Sequence, residues 1–457
     1  MPPVRVISWR GAILGMELAI SRRATRHQGA TYDAFSAIRI SGVCAGARCL
    51  SSRRRAHSEW RDRLHDAVAT RIASWSFEDT VSSLTQQIAA LPGPLLARLR
   101  ARGFDPDRVA RWAASIGKDR DARNRLQGTV EPPAPGDVAD LPAEGTPEHA
   151  RCREAGLAAL RRGEVALCVL AGGMATRMGG VVKALVEVLP GRTFLDLRLA
   201  ESDHLRRTTG VPVPLWLMTS EATNGPIREA LGPRLDEPGD LCATFEQHVS
   251  LRLTPEGGLF LDEAGEPSVY ATGHGDLPDA LRESGLLGRF IARGGKIVWI
   301  ANLDNLGATV DPVLLGWHLG HGGPLSVEVV DKGGDKGGGP LRWNGRPVMA
   351  EDFRLPVGFD PKVVPVFNTN TFLASAEALS TLALDWIYVE VEKKVDDRKA
   401  IQFERILNEI TFGLPARFVR VPREGLAARF LPVKDVEELE RRRPAIEAIA
   451  RARGFLG

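Results

Sequence analysis

The clearest chemistry in this sequence lies between Val165 and Lys183, where glycines and cations share one short run. It reads Val165-Ala-Leu-Cys-Val-Leu-Ala-Gly-Gly-Met-Ala-Thr-Arg-Met-Gly-Gly-Val-Val-Lys183. Glycines let a backbone approach a ligand closely and present its N–H groups. Arg177 and Lys183 add fixed positive charge, and the combination describes a cradle for a polyphosphate. The apolar run Val165 to Leu170 predicts a buried strand, which puts the cradle at a strand's carboxyl end. The spacing is neither Gly-x-x-x-x-Gly-Lys-Ser/Thr nor Gly-x-Gly-x-x-Gly, which disfavours a Walker-type loop and a dinucleotide turn. Taken alone, such a loop fits a plain turn as well as a phosphate site.

Other segments extend the pattern. Leu170-Ala-Gly-Gly-Met-Ala-Thr-Arg-Met-Gly179 resembles the opening signature of the UDP-sugar pyrophosphorylases, Leu-Ala-Gly-Gly-x-Gly-Thr-Arg-x-Gly followed by Pro-Lys. Later segments resemble the UTP–glucose-1-phosphate uridylyltransferases in the same order. They are Gly273-His-Gly-Asp276, Asn302-Leu-Asp-Asn-Leu-Gly-Ala308, Lys336-Gly-Gly338, Phe367-Asn-Thr-Asn370, Ile401-Gln-Phe-Glu404 and Arg429-Phe-Leu-Pro-Val-Lys434. The chain departs from the family pattern where Val182 replaces the proline before Lys183, in an interval after Gly179 that is one residue short.

The resemblance implies attack by a sugar-1-phosphate oxygen on the α-phosphorus of UTP, with release of pyrophosphate. A phosphate is already a competent nucleophile, so positioning and charge neutralisation dominate and no side-chain base is needed. By resemblance, the backbone of Ala171, Gly172 and Gly173 lies against the uridine and its phosphates. Arg177, Lys183 and Lys434 neutralise phosphate charge. Asp304 holds Mg²⁺, a hard cation suited to a carboxylate at a strand end plus phosphate oxygens. Gln247 and Gly273 resemble positions that contact uracil. His274, Asn302, Gly338, Glu351 and Asn368 resemble positions around the hexose, where amides and a carboxylate suit hydroxyls that both donate and accept.

Gly-His-Gly-Asp resembles the glucose branch, whereas the N-acetylhexosamine branch typically shows Gly-Asn-Gly-Gly. Glucose-1-phosphate is therefore the favoured acceptor, with galactose-1-phosphate, broad UDP-sugar synthesis and N-acetylglucosamine-1-phosphate as alternatives. A catalytically silent UDP-sugar-binding member is a further alternative, supported by the shortened interval before Lys183. A nicotinamide-dependent oxidoreductase would need a ribose-binding acid at a later strand end, and Leu195-Asp-Leu does not look like one.

Bulk properties limit the partners. The 60 basic and 57 acidic residues nearly cancel, which gives no general argument for nucleic acid or an anionic membrane. Five scattered cysteines without a Cys-x-x-Cys pair argue against a disulfide framework or a zinc site. No apolar run reaches the length of a membrane-spanning helix. A reducing cytoplasm is the expected setting, with UTP and a sugar-1-phosphate as partners and the oligomeric state unread.

The elements that must position these residues follow from patterning. Residues 1–57 are arginine-rich, with Glu17 and Asp33 as acids, and are expected to be disordered or a mis-assigned extension outside the functional unit. Residues 58–127 predict a helical region. It opens with a Trp60, Leu64, Val68, Ile72, Trp75 stripe and continues with helices over 80–90 and 95–100. A third helix opens at Asp105, with Val109, Trp112 and Ile116 on one face. Residues 128–147 read as a linker, 148–425 as the catalytic domain, and 426–457 as a C-terminal segment with the Pro-Val-Lys motif. Strands are expected over 165–170, 215–218, 297–301, 325–330, 363–367 and 386–391, and helices over 147–162, 224–231, 398–411 and 433–450. This alternation predicts an α/β fold with a mixed, largely parallel sheet and ligands at its carboxyl edge. The resemblance implies a Rossmann-like nucleotide-diphospho-sugar transferase fold.

Overall fold

The apolar runs become the middle of an eight-stranded sheet. Its strands are β1 (Val138–Asp140), β2 (Val165–Leu170), β3 (Leu215–Thr219), β4 (Cys242–Glu246) and β5 (Ile297–Asn302), then β6 (Leu325–Asp331), β7 (Val366–Ser375) and β10 (Ala416–Arg420). Between β7 and β10 the chain forms a separate hairpin of β8 (Val389–Val395) and β9 (Arg398–Glu404). The sheet order is β1-β10-β6-β7-β5-β2-β3-β4. Neighbours are parallel except at β7, which runs against both β5 and β6. The computed structural model describes residues 77–321 and 323–456. The expectations for residues 1–57 and for the Trp60 to Trp75 stripe lie outside the described residues.

Strand alternation splits the core between the two sheet faces. Val165, Leu167 and Val169 point into one cluster, with Trp299 from β5. Ala166 and Cys168 point into the other, with Val298 and Ile300. Such strands are buried on both faces, which is why they read as unbroken apolar runs. Helices α4 (Pro147–Arg161) and α6 (Pro312–His321) approach to backbone contact, through glycine. A Cβ on Gly156 would fall 1.9 Å from the Pro312 carbonyl oxygen, and one on Gly316 would fall 1.8 Å from that of Cys152. Alanine at either position would force the pair apart.

Three expected elements differ. Residues 398–411 begin as strand β9 rather than a helix. Ile401 and Phe403 share one face while Gln402 and Glu404 share the other, a period of two. Asp396 and Asp397 turn the chain before it with φ of 48° and 58°, as a two-residue hairpin loop demands. Residues 386–391 lead into β8 and so belong to this hairpin, not to the central sheet. The strand expected over 363–367 starts at Val366, because Pro361–Val363 forms a 3₁₀ turn and Pro365 lacks an N–H to donate. It then runs on through the Phe367–Asn370 motif to Ser375.

The expected N-terminal helices are present as α1 (Phe77–Ala89), α2 (Gly93–Arg100) and α3 (Pro106–Ala113). Asp105 caps α3 by accepting from the Arg108 N–H at 3.0 Å. Leu84, Leu99, Val109 and Trp112 share a core with Ile401 and Phe403 of β9. Trp112 stacks on Phe403, with centroids 4.9 Å apart and planes 10° from parallel. Within 128–147, β1 adds a short parallel strand beside β10. Among the described residues, no helix is long and apolar enough to cross a membrane.

Candidate active site

The carboxyl ends of β2, β3, β4 and β5 meet at one sheet edge, where parallel α/β sheets bind ligands. From β2 the chain enters Ala171-Gly-Gly173 and then a small hairpin, Met174–Ala175 paired with Val181–Val182. Gly179 and Gly180 turn it with φ of 90° and 73°, values open to glycine. The hairpin returns Lys183 to the cradle, where its N–H donates to the Gly173 carbonyl at 3.3 Å. The short interval thus suffices for Lys183 to reach the site. Arg177 does not reach it: it sits in this hairpin's connecting turn, exposed, and does not line the cleft.

Across the cradle, the ammonium of Lys183 pairs with the carboxylate of Asp304. The turn carrying Asp304 is clamped from below by Arg198 of α5 (Phe194–Thr209). This guanidinium is 1% exposed. It donates to the carbonyls of Asn302 (2.9 Å), Asn305 (2.7 Å) and Ala308 (3.1 Å). Glu201 pairs with it at 2.8 Å and accepts from the Val310 N–H with its other oxygen. Neither residue was expected at the site. The signal was a charged pair at i, i+3 among the apolar positions of an amphipathic helix.

At the end of β4, the Gln247 N–H donates to the Thr219 carbonyl at 2.8 Å, extending the ladder by one residue. Its amide packs on the cradle so closely that a Cβ on Gly172 would sit 2.3 Å from Gln247 Oε1. Gly273, with φ of 105°, aims the next residue, His274. The His274 Nδ1 accepts from the Leu407 N–H at 2.9 Å, so Nε2 carries the proton of the neutral ring. Burial pushes this imidazole down to about 4. It is therefore a fixed neutral donor near pH 7.

These residues line a cleft of about 680 Å³. Its charged lining is Lys183, Arg252, Lys393 and Lys394 against Asp304 and Glu404, a surplus of cations that suits a polyanion. Arg252, Lys393, Lys394, Gln402 and Glu404 had not been placed at a site. For Lys393, Gln402 and Glu404 the alternation of β8 and β9 was the available signal, since they share one hairpin face with Val395.

The remaining expected residues form a second group that does not line this cleft but is joined to it. Glu351 accepts from the Gly338 N–H at 3.1 Å and from the Asn408 amide at 2.8 Å. Burial raises its carboxyl above the ordinary range, opposed by hydrogen bonds from Gly338 and Asn368. Asn368 accepts from the Asn370 N–H, and the Asn370 amide donates to Asn302 Oδ1 at 2.8 Å. Asn302 lines the cleft and so connects the two groups. Lys434 is exposed and lies outside the lining. Its segment nevertheless runs beside the Asp304 turn, since the Val433 N–H donates to the Asp304 carbonyl at 3.2 Å.

The profile of the UTP–glucose-1-phosphate uridylyltransferase family matches residues 130–441, more than half of the chain. The chain belongs to that family. Among curated members, the enzyme of Musa acuminata is 32% identical over 292 residues, covering 60% of this chain and 62% of that one. The Hordeum vulgare enzyme is 32% identical over 289 residues, covering 59% of each. The chain thus spans about three fifths of the length of these relatives. Among solved structures, UDP-glucose phosphorylase of Trypanosoma brucei aligns with a TM-score of 0.61 at 25% identity, covering 75% of this chain and 76% of that one. The UDP-N-acetylglucosamine pyrophosphorylase of the same organism reaches a TM-score of 0.63 at 18% identity, over 82% and 83% of the chains. At that identity it supports the fold alone.

Proposed function

We propose that this chain transfers the uridylyl group of UTP to a hexose-1-phosphate, with glucose-1-phosphate preferred, yielding UDP-sugar and pyrophosphate. The observation that carries this reading is the convergence of Gly172, Lys183, Gln247, His274, Asn302 and Asp304 on one cation-rich cleft at the sheet edge. Family membership and the curated relatives support it.

In this reading, a non-bridging oxygen of the sugar phosphate attacks the α-phosphorus of UTP, and the bond to the β-phosphate oxygen breaks as pyrophosphate leaves. The Gly172–Gln247 contact holds the uracil edge, with an amide able to match its imide. The Nε2–H of His274 and the amide of Asn302 orient the acceptor, which makes the encounter effectively intramolecular. Lys183 and the lysines of the β8–β9 hairpin offset the charge that gathers on the leaving phosphates. Asp304 fits Mg²⁺, which accepts a single protein carboxylate beside phosphate oxygens, and Lys183 would then turn from that carboxylate towards the nucleotide. When bound, the ion would neutralise phosphate charge. The scattered cysteines favour a reducing, cytoplasmic setting.

The test is pyrophosphate release with UTP and Mg²⁺ against glucose-1-phosphate, galactose-1-phosphate and N-acetylglucosamine-1-phosphate in parallel. Fastest release with glucose-1-phosphate is the expected result. The positions of Arg177 and Lys434 outside the cleft favour a second reading, a UDP-sugar-binding protein without turnover. Binding of UDP-glucose with no release from any sugar would establish that reading instead.

A further inference from the structure

A buried cation lies behind the cleft without lining it. Arg405 follows β9 directly, and its side chain is 3% exposed. Its backbone brackets the turn that carries His274. The Arg405 N–H donates to the Thr272 carbonyl at 2.7 Å, and its own carbonyl accepts from the Gly275 N–H at 3.1 Å. The contact is flush. A Cβ on Gly273 would sit 2.4 Å from the Arg405 carbonyl oxygen, and one on Gly275 would sit 2.7 Å from its carbonyl carbon.

The side chain secures the same turn from its far end. Nε donates to Asp276 Oδ1 and Nη1 to Asp279 Oδ2, each at 2.6 Å. Asp276 also accepts from the Thr272 hydroxyl at 2.8 Å, which closes a ring of bonds around Gly273-His-Gly-Asp. The third guanidinium nitrogen, Nη2, donates to His248 Nδ1 at 2.8 Å, so His248 presents its Nε2–H to Glu283. Trp386 and Tyr388 place their rings 5.3 and 5.6 Å from the guanidinium carbon. A planar fork fits this geometry, because the three bonds leave from three separate nitrogens, whereas the donors of an ammonium all sit on one atom. Two residues further on, the Leu407 N–H holds His274 Nδ1. The segment 405–407 therefore sets both the place and the tautomer of the imidazole.

We infer that Arg405 is a positioning residue for His274, and through it determines how well the cleft takes its sugar-phosphate substrate. The inference rests on the cleft reading proposed above, in which the His274 Nε2–H meets the hexose-1-phosphate. Arg405 itself touches no reacting atom. It acts by keeping the donor aimed, since misplacing a binding group by about 1 Å costs up to about 100-fold in rate.

The experiment compares wild type, Arg405→Lys, His274→Ala and the double variant, reading KM for glucose-1-phosphate and UTP separately. Arg405→Lys keeps the buried charge and removes the fork. It should raise the glucose-1-phosphate KM about tenfold and move the UTP KM by less than about twofold. In the His274→Ala background it should add less than about twofold, because the group it aims is gone. Imidazole ¹⁵N spectra give an independent reading: Nε2-protonated His274 in wild type, a tautomer mixture in Arg405→Lys. Equal rises in both KM values, or full additivity with an unmoved His274 signal, would overturn the inference. If Arg405→Lys does not fold, Asp279→Asn weakens the same fork more gently. Absence of turnover in wild type would refute the proposed activity, while the ¹⁵N spectra would still decide the role of Arg405.

Discussion

Gly172 and Gly173 are adjacent, yet alanine should disturb the free protein only at the first. At Gly172 the new Cβ would lie 2.3 Å from Gln247 Oε1, whereas ordinary contact begins at 3.4 Å. The Gln247 amide must therefore retreat by about 1 Å, roughly the error that costs up to about 100-fold in a positioned site. Because the atom met is the end of a flexible side chain and the glycine needs no unusual backbone, the fold should absorb the change. We expect Gly172→Ala to lower kcat/KM for UTP between about 10- and 100-fold, or about 1.4 to 2.7 kcal/mol, with Tm nearly unmoved. At Gly173 nothing lies within 4 Å of the added Cβ, so the free protein is undisturbed there. Steady-state kinetics in UTP, calorimetric Tm and the Gly172→Ala/Gln247→Ala double variant form the assay. In the double variant the crowding has no target, so Gly172→Ala should cost nothing beyond Gln247→Ala. A Gly172→Ala protein with wild-type UTP kinetics, or with a penalty that survives loss of Gln247, refutes the reasoning.

Three further outcomes are expected. Asp304→Asn should lower kcat by about 100-fold or more with intact circular dichroism, since it removes charge from the cleft and unpairs Lys183; near-normal turnover would take Asp304 out of the site. Burial holds His318 down to about 4, and the side chain is 2% exposed. Below about pH 6.5 the unfolded chain takes up a proton the folded chain refuses. Stability present above that pH is thus lost as pH falls towards 4, by up to about 3 kcal/mol from this group. His318→Gln should flatten the difference between urea unfolding at pH 7 and pH 4.5, and an unchanged slope would count against it. Trp112→Ala should lower unfolding free energy by about 3 kcal/mol, read from urea midpoints; a loss below about 1 kcal/mol would show that its stacking on Phe403 is not core.

Much of the site was legible because its chemistry sits where strands end. Val165–Leu170 and residues 297–301 are apolar on both faces, and the polar residues that follow them had to lie at the sheet edge. Lys183, Gln247, His274, Asn302 and Asp304 meet there, as expected. Strand β9 was missed because charged residues lie on both faces of the β8–β9 hairpin, Lys393 and Glu404 on one and Lys394 and Lys399 on the other, which blurs its alternation. Arg198 and Arg405 were missed for a different reason. Arg405 is a buried cation satisfied by carboxylates distant in sequence, which no local pattern marks, and Arg198 left only its i, i+3 pairing with Glu201 as a local trace. Arg177 and Lys434 carry motif identities that place them near the cradle, yet the backbone leaves both side chains in solvent.

The core shared by α1–α3 and the hairpin has a practical consequence for anyone dissecting this chain. The family match begins at residue 130, but Leu84, Leu99, Val109 and Trp112 lie before it and cover Leu251, Leu253, Ile401 and Phe403 after it. A fragment cut at the homology boundary would carry the full set of cleft residues and still display a bare aliphatic and aromatic surface on the back of the wall that bears Gln402 and Glu404. Such a surface invites self-association. The stretch that matches the family profile and the stretch that buries this core are thus different lengths of chain, and α1–α3 belong to the second.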